Sequence, residues 1–169
     1  MARKTLEHSL LALTMMLGAA TATAEGARQM DGDALWRNES NYKQAVRAWD
    51  ELDAGDLDHA IERFSRVVKR AQGSYERSQA LLGLAQAQLM RRNVDAAIRH
   101  YEEVIDLNHV PDRPHFEVML KLAELHVELD NLTEAGEWLR RWSTENPARS
   151  EAEQFRADRL EAKLFGRRI

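Results

Sequence analysis

The chain has 169 residues, 44% of them hydrophobic and 31% charged, with 28 acidic against 24 basic side chains and a net charge of −4. That length suits one domain with a continuous core, and the mild negative balance argues against nucleic acid as the main partner. Eight Gly and three Pro are too few breakers for a turn-rich β fold. The lack of any cysteine removes disulfides, thiol chemistry and a cysteine-linked lipid anchor.

The first 24 residues differ from the rest. Arg3 and Lys4 open a charged start, an apolar run extends from Leu10 to Ala20, and Ala22 and Ala24 stand in A-x-A spacing. Charge, short apolar middle and small-residue end predict a secretory signal peptide cut near Ala24. The alternative is an uncleaved anchor, but the run is short for a bilayer span. Cleavage takes Arg3, Lys4 and Glu7 from the net −4 and leaves −5. Arg outnumbers Lys 19 to 5, a hint of a GC-rich genome. An exported, cysteine-free, Arg-rich chain points to a bacterial protein of the periplasm, or one secreted beyond it.

Residues 25–41 are a polar lead, read as a linker. From Tyr42 the apolar spacing turns helical through Ala45, Val46, Trp49 and Leu52. "AGD" at 54–56 stops that helix, with Gly55 suited to a left-handed backbone and Asp56 to an N-cap. The next helix carries Ala60, Ile61, Phe64, Val67 and Val68 and ends near residues 72–74. A third helix holds Ala80, Leu81, Leu84, Ala85 and Leu89. Asn93 caps a fourth, with Ala97, Ile98, Tyr101, Val104 and Ile105. "NHVPDRP" is a loop, since Pro111 and Pro114 disfavour helix before them. Pro114 fits the first turn of a fifth helix bearing Phe116, Met119, Leu122, Ala123 and Val127. Asp130 or Asn131 starts a sixth, with Leu132, Ala135, Leu139 and Trp142. Ser150 with Glu153 makes a capping box for a seventh helix reaching Phe165.

Three stretches share one design: "DAGDLDHAIERF" at 53–64, "RRNVDAAIRHY" at 91–101 and "LDNLTEAGEWL" at 129–139. Each has a tight polar turn, an alanine, and a bulky residue four positions on. Ala60, Ala97 and Ala135 recur at intervals of about 37 residues, which fits stacked helix pairs that bury one another's apolar faces. "GDLDHAIERF" resembles the tetratricopeptide repeat. Ala48, Ala85 and Ala123 match that family's small site in the first helix of each repeat. Leu81 with Leu84, and Met119 with Leu122, match its large apolar sites, and Pro147 matches its closing proline.

The resemblance implies an all-α fold: a right-handed α-solenoid of antiparallel helix pairs, about three repeats over 42–149, with a capping helix at 150–166. A non-repeat helical bundle is the competing architecture. The sequence departs from the family in its longer connections, in Gly136 after the third alanine, and in Trp142 at a usually small site. An irregular third repeat, met by the seventh helix at an unusual angle, is therefore expected.

The same resemblance implies a concave groove lined by the first helices. The first repeat would present Tyr42, Ala45, Trp49, Leu52 and Asp53. The second would present Gln79, Leu82, Gln86, Leu89 and Met90. The third would present Glu117, Leu120, Lys121, Glu124, Val127 and Glu128, with Glu117 and Lys121 able to pair along the helix. That apolar strip, flanked by amides and carboxylates, suits an extended or helical peptide with some basic residues. Trp49 is the natural anchor, unless it packs on the 25–41 lead. With only Lys121 as a cation there, capture of a free C-terminal carboxylate is disfavoured.

Catalytic sets are missing from the sequence: no Gly-rich phosphate loop, no G-x-S-x-G, no His-Glu-x-x-His helix. His109 and His115 flank the proline loop and are read as exposed loop histidines, or else as a loose metal pair. Asp50, Asp53, Asp56 and Asp58 crowd one turn without the calcium-loop order, so capping and solvation explain them. Trp138 and Trp142, one turn apart, read as core rather than as a ligand platform. Arg140, Arg141, Arg167 and Arg168 read as a solvated basic end. The expected role is a non-enzymatic, cofactor-free adaptor that binds a protein or peptide of the cell envelope. The alternatives are a homo-oligomerisation module using the Glu25–Asn41 lead, or a metal-binding or enzymatic helical protein.

Overall fold

The computed structural model describes residues 39–107 and 113–166. The expected signal segment and most of the lead lie outside them, as do His109, Pro111, Arg167 and Arg168. The described residues form seven helices and no strand: α1 Glu39–Asp53, α2 Leu57–Arg70, α3 Ser74–Met90, α4 Val94–Asp106, α5 Arg113–Glu128, α6 Leu132–Glu145 and α7 Glu151–Gly166. Helix α1 begins inside the segment expected as linker, and Asn41 is already buried there. Its amide donates to the Arg70 carbonyl and to Glu76 Oε2, both at 3.3 Å, tying α1 to the end of α2 and the start of α3.

Sequential helices pack as antiparallel pairs, α1 with α2, α3 with α4, α5 with α6, and the pairs stack in line. Small side chains make this possible. Ala48, Ala85 and Ala123 in the first helices, and Ala60, Ala97 and Ala135 in the second, are all sealed from solvent. Each pair of helices thus crosses on alanine, and Phe64, Tyr101 and Leu139 fill the space one turn beyond. First helices touch at the two ends of the array, α1 with α3 and α5 with α7, whereas α3 and α5 make no comparable contact, and neither do the second helices among the described residues.

The three turns inside the pairs close identically. The Asp56, Asn93 and Asn131 amides each donate to a carbonyl five residues back, at 2.8 Å, and Gly55, Arg92 and Asp130 donate three residues back. This Schellman closure requires a left-handed residue. Gly55 supplies it at φ 80°, but Arg92 at 62° and Asp130 at 63° adopt it against side-chain sterics. Arg92→Gly is accordingly expected to raise stability by about 1 kcal/mol in urea unfolding. The same change at an ordinary helical position lowers it.

Caps follow the sequence closely. Asp56 accepts from the His59 amide and Asn93 from the Ala96 amide, each at 3.4 Å. Asn131 holds the N-cap position of α6 but makes no side-chain cap bond. The Ser150–Glu153 capping box is formed, with Glu153 Oε2 accepting from the Ser150 amide at 2.6 Å and Ser150 Oγ accepting from the Glu153 amide at 3.3 Å. Helix α6 runs unbroken through Gly136 and buries Ala135, Leu139 and Trp142. The third pair is thus regular along its second helix, despite the departures there.

The Asp56 cap has a titratable companion. His59 Nδ1 lies 2.7 Å from Asp56 Oδ2. That hydrogen bond, then the carboxylate's charge, raises the His59 pKa above its ordinary 6.5. The reciprocal bond lowers the Asp56 pKa below 3.8. The His59 contribution is complete below pH 6.5 and fades as pH rises through the folded value; that of Asp56 is complete above pH 3.8 and fades as pH falls. An NMR titration of the His59 ring is expected to show the raised value, with Asp56→Asn lowering it toward the ordinary one.

Candidate functional site: the first-helix face

Helices α1, α3 and α5 present the face expected to bind. Its centre is apolar and lies on α3, where Leu82 and Leu89 are half-buried against the core and Met90 is exposed. Gln79 and Gln86 flank them, also half-exposed. At the α1 end, Tyr42 is partly open. Trp49 is partly buried and meets Phe64 edge-on, with ring centroids 5.0 Å apart. The indole's orientation is thus set by a core residue, which pre-organises it.

Four side chains expected on this face are core instead. Leu52 is 1% exposed and Leu120 is fully buried, as are Ala45 and Val127 to within 2%. The reason at Leu120 is visible in its neighbours. Glu117 and Glu124 lie one turn to either side of it, and both accept from Arg156 of α7. Arg156 Nη1 donates to Glu117 Oε2 at 2.5 Å, and Nη2 donates to Glu124 Oε1 at 2.9 Å. Leu120 thus lies on the stretch of α5 to which α7 is tied through Arg156, where the two helices are in contact. Leu52, near the end of α1, is enclosed where the pair closes on its own turn.

Arg156 changes the electrostatics of the acidic end. Burial by itself lowers its pKa, but Glu124 and Glu117 outweigh that and raise it overall. Lys121 pairs with Glu124 at 3.3 Å, not with Glu117 as expected. Glu117 and Glu124 are therefore satisfied within the chain, and Glu128 remains as an exposed carboxylate of that face. Sequence reasoning had no local signal for Arg156, which lies 39 and 32 residues from its partners.

The other singled-out residues have structural roles. His115 is a buried helical residue, not an exposed loop one, with Nε2 3.9 Å from Glu145 Oε2. Among the described residues no group of three His, Asp or Glu side chains could hold a metal ion. Asp58 pairs with Arg91 at 2.9 Å. Trp142 is core, whereas Trp138 is half-exposed under the Arg141 guanidinium, 5.5 Å from its ring centre. A cavity of about 570 Å³ opens beside Trp138, lined also by His126, Glu134, Glu137 and Arg140. Among the described residues no helix is long and apolar enough to cross a membrane.

Stacked helix pairs with alanine crossings, three identical closures and an open first-helix face define an α-solenoid of the protein-interaction class. The chain matches the tetratricopeptide repeat over residues 45–108 and 91–150 and belongs to that family. No curated protein and no solved structure matches it.

Proposed function

We propose that this protein is a non-catalytic adaptor of the bacterial cell envelope that holds an extended or helical segment of a partner protein on its first-helix face. The observation that carries this reading is the strip of Leu82, Leu89 and Met90, left partly open on α3 with Gln79 and Gln86 beside it. Apolar side chains give such a face affinity, and the amides can meet the partner's backbone groups. The pre-organised Trp49 and half-open Tyr42 extend the strip, and Glu128 favours a basic residue in the partner. Lys121 and Glu124 edge the opposite end as a closed ion pair.

Support for the envelope comes from the sequence: charged start, Leu10–Ala20 run, Ala22 and Ala24. The mass of protein recovered from periplasm is expected to correspond to a chain starting at Glu25. A full-length mass in the membrane fraction would instead establish an anchor. Partner binding is tested by capture from the same extract with wild type, Leu82→Glu/Leu89→Glu and, as a surface control, Arg99→Glu on α4. A partner held by wild type and the control but lost from the groove variant supports the reading. Equal recovery by all three sinks it.

A further inference from the structure

A capping helix of a solenoid normally turns a polar side to water. Helix α7 does not. Its inner stripe is Glu153, Ala157, Leu160 and Leu164, all buried. Its outer side carries Phe155 at 63% and Phe165 at 65% exposure, the two most exposed large apolar side chains of the described chain. At 3.6 residues per turn, Ala152, Phe155, Ala162 and Phe165 share one face, with Asp158 and Arg159 midway along it. All six are exposed.

This face is complementary to itself. Set α7 antiparallel to a second α7, with the two-fold axis beside the Asp158–Arg159 peptide bond. Phe155 then meets Ala162 of the second copy, and Phe165 meets its Ala152. Each large ring is met by a small residue that lets the helices approach. At the axis Asp158 faces Arg159 of the second copy, and the reverse, so two opposite-charge pairs close the centre. A parallel pairing would set Phe against Phe and Asp against Asp. Both charges are held only by their own helix among the described residues: Asp158 accepts from the Gln154 amide at 2.6 Å, and Arg159 rests over Phe155 with its guanidinium 5.9 Å from the ring centre.

We infer that α7 is a homodimer interface, in which two copies pair their α7 helices antiparallel through Phe155, Ala162 and the Asp158–Arg159 charge pair. The contact is isologous, as a two-fold interface requires. Four buried phenylalanines and their alanine partners amount to roughly 1,000 Å², the small end of specific interfaces, where reversible association is the rule. The first-helix face lies on other helices, apart from Arg156, so one dimer presents two of them.

Sedimentation equilibrium on the purified chain tests the inference, with far-UV circular dichroism confirming that each variant is folded. Wild type is expected to approach twice the chain mass by about 100 µM. Phe155→Ser and Ala162→Glu should leave monomer. Asp158→Arg and Arg159→Asp, each placing like charges at the axis, should weaken association about 10-fold. The double reversal Asp158→Arg/Arg159→Asp restores complementarity and should return it to within about 3-fold of wild type. A wild-type monomer at that concentration overturns the inference, including one whose N-terminal segment covers the face. So does a dimer indifferent to Phe155→Ser, or a double reversal no stronger than the singles.

Discussion

Phe64→Ala is expected to lower stability by about 3–5 kcal/mol, and Gly83→Ala, although it introduces the better helix former, by about 1–3 kcal/mol. Both effects come from one contact. Phe64, on the second helix of the first pair, is fully buried, and its ring lies flat on Gly83 of the first helix of the second pair. A Cβ on Gly83 would come within 2.5 Å of Phe64 Cε1 and 2.6 Å of Cε2. Trp49 also packs against the ring, edge-on with centroids 5.0 Å apart, and the ring is fully buried, so its room to shift is small. The two changes should therefore couple. In the double variant the truncated side chain at position 64 vacates the space that the new methyl needs, and the loss should fall short of the sum of the singles by about 1 kcal/mol or more. Urea unfolding of the four proteins measures this. Strict additivity would show that the ring and the glycine do not share the strain. Phe64→Ala should also weaken partner capture through the first-helix face, since Trp49 loses the surface that orients it.

What the sequence disclosed was whatever repeats locally. The alanines at crossings, the Gly55 turn, the Asp56 and Asn93 caps and the Ser150–Glu153 box each depend on residues a few positions apart, and each is found as read. The left-handed turns at Arg92 and Asp130 were hidden, because arginine does not advertise that conformation and aspartate does so only weakly. They become legible only by aligning the three closures on Gly55. Long-range partners were hidden for a different reason. Leu120 and Leu52 lie on the helical face that repeats of this kind expose, and periodicity alone cannot say that a later helix lies over it. Arg156 supplied the missing fact, by crossing from α7 to a pair of carboxylates one turn either side of Leu120. The acidic end of the proposed groove is thus part of the joint between third pair and cap, which leaves the apolar part on α3 for the proposed binding role.

The joint leads to the second large effect. Trp142→Ala is expected to cost about 3–5 kcal/mol, while Trp138→Ala, one turn earlier, costs under about 1 kcal/mol. Trp142 stands where this family usually has a small residue, and it is 1% exposed. Its indole therefore fills volume that small side chains fill elsewhere, between α6 and the start of α7. Arg149, 5.4 Å from the ring centre, closes the outside of it and donates to Ser143 Oγ and Gln154 Oε1 across the connection. Removing the ring leaves a cavity under the cap and takes away the surface on which Arg149 rests. Trp138, by contrast, is half-exposed at the edge of the core, with Arg141 over its ring. Stability in stacked repeats is a sum of unit and nearest-neighbour terms. The loss should accordingly be local: amide exchange in α6 and α7 accelerates strongly, while α1 to α3 keep their protection. Trp142→Phe separates volume from polarity. The indole Nε1 is buried and finds no acceptor among the described residues. Phenylalanine leaves a smaller void and removes that unsatisfied donor, whose burial costs about 1–3 kcal/mol. The two changes oppose each other, so Trp142→Phe should lie within about 1.5 kcal/mol of wild type, with the protection of α7 retained. A Phe variant as damaged as the alanine one would mean that the indole nitrogen holds a partner essential to the joint.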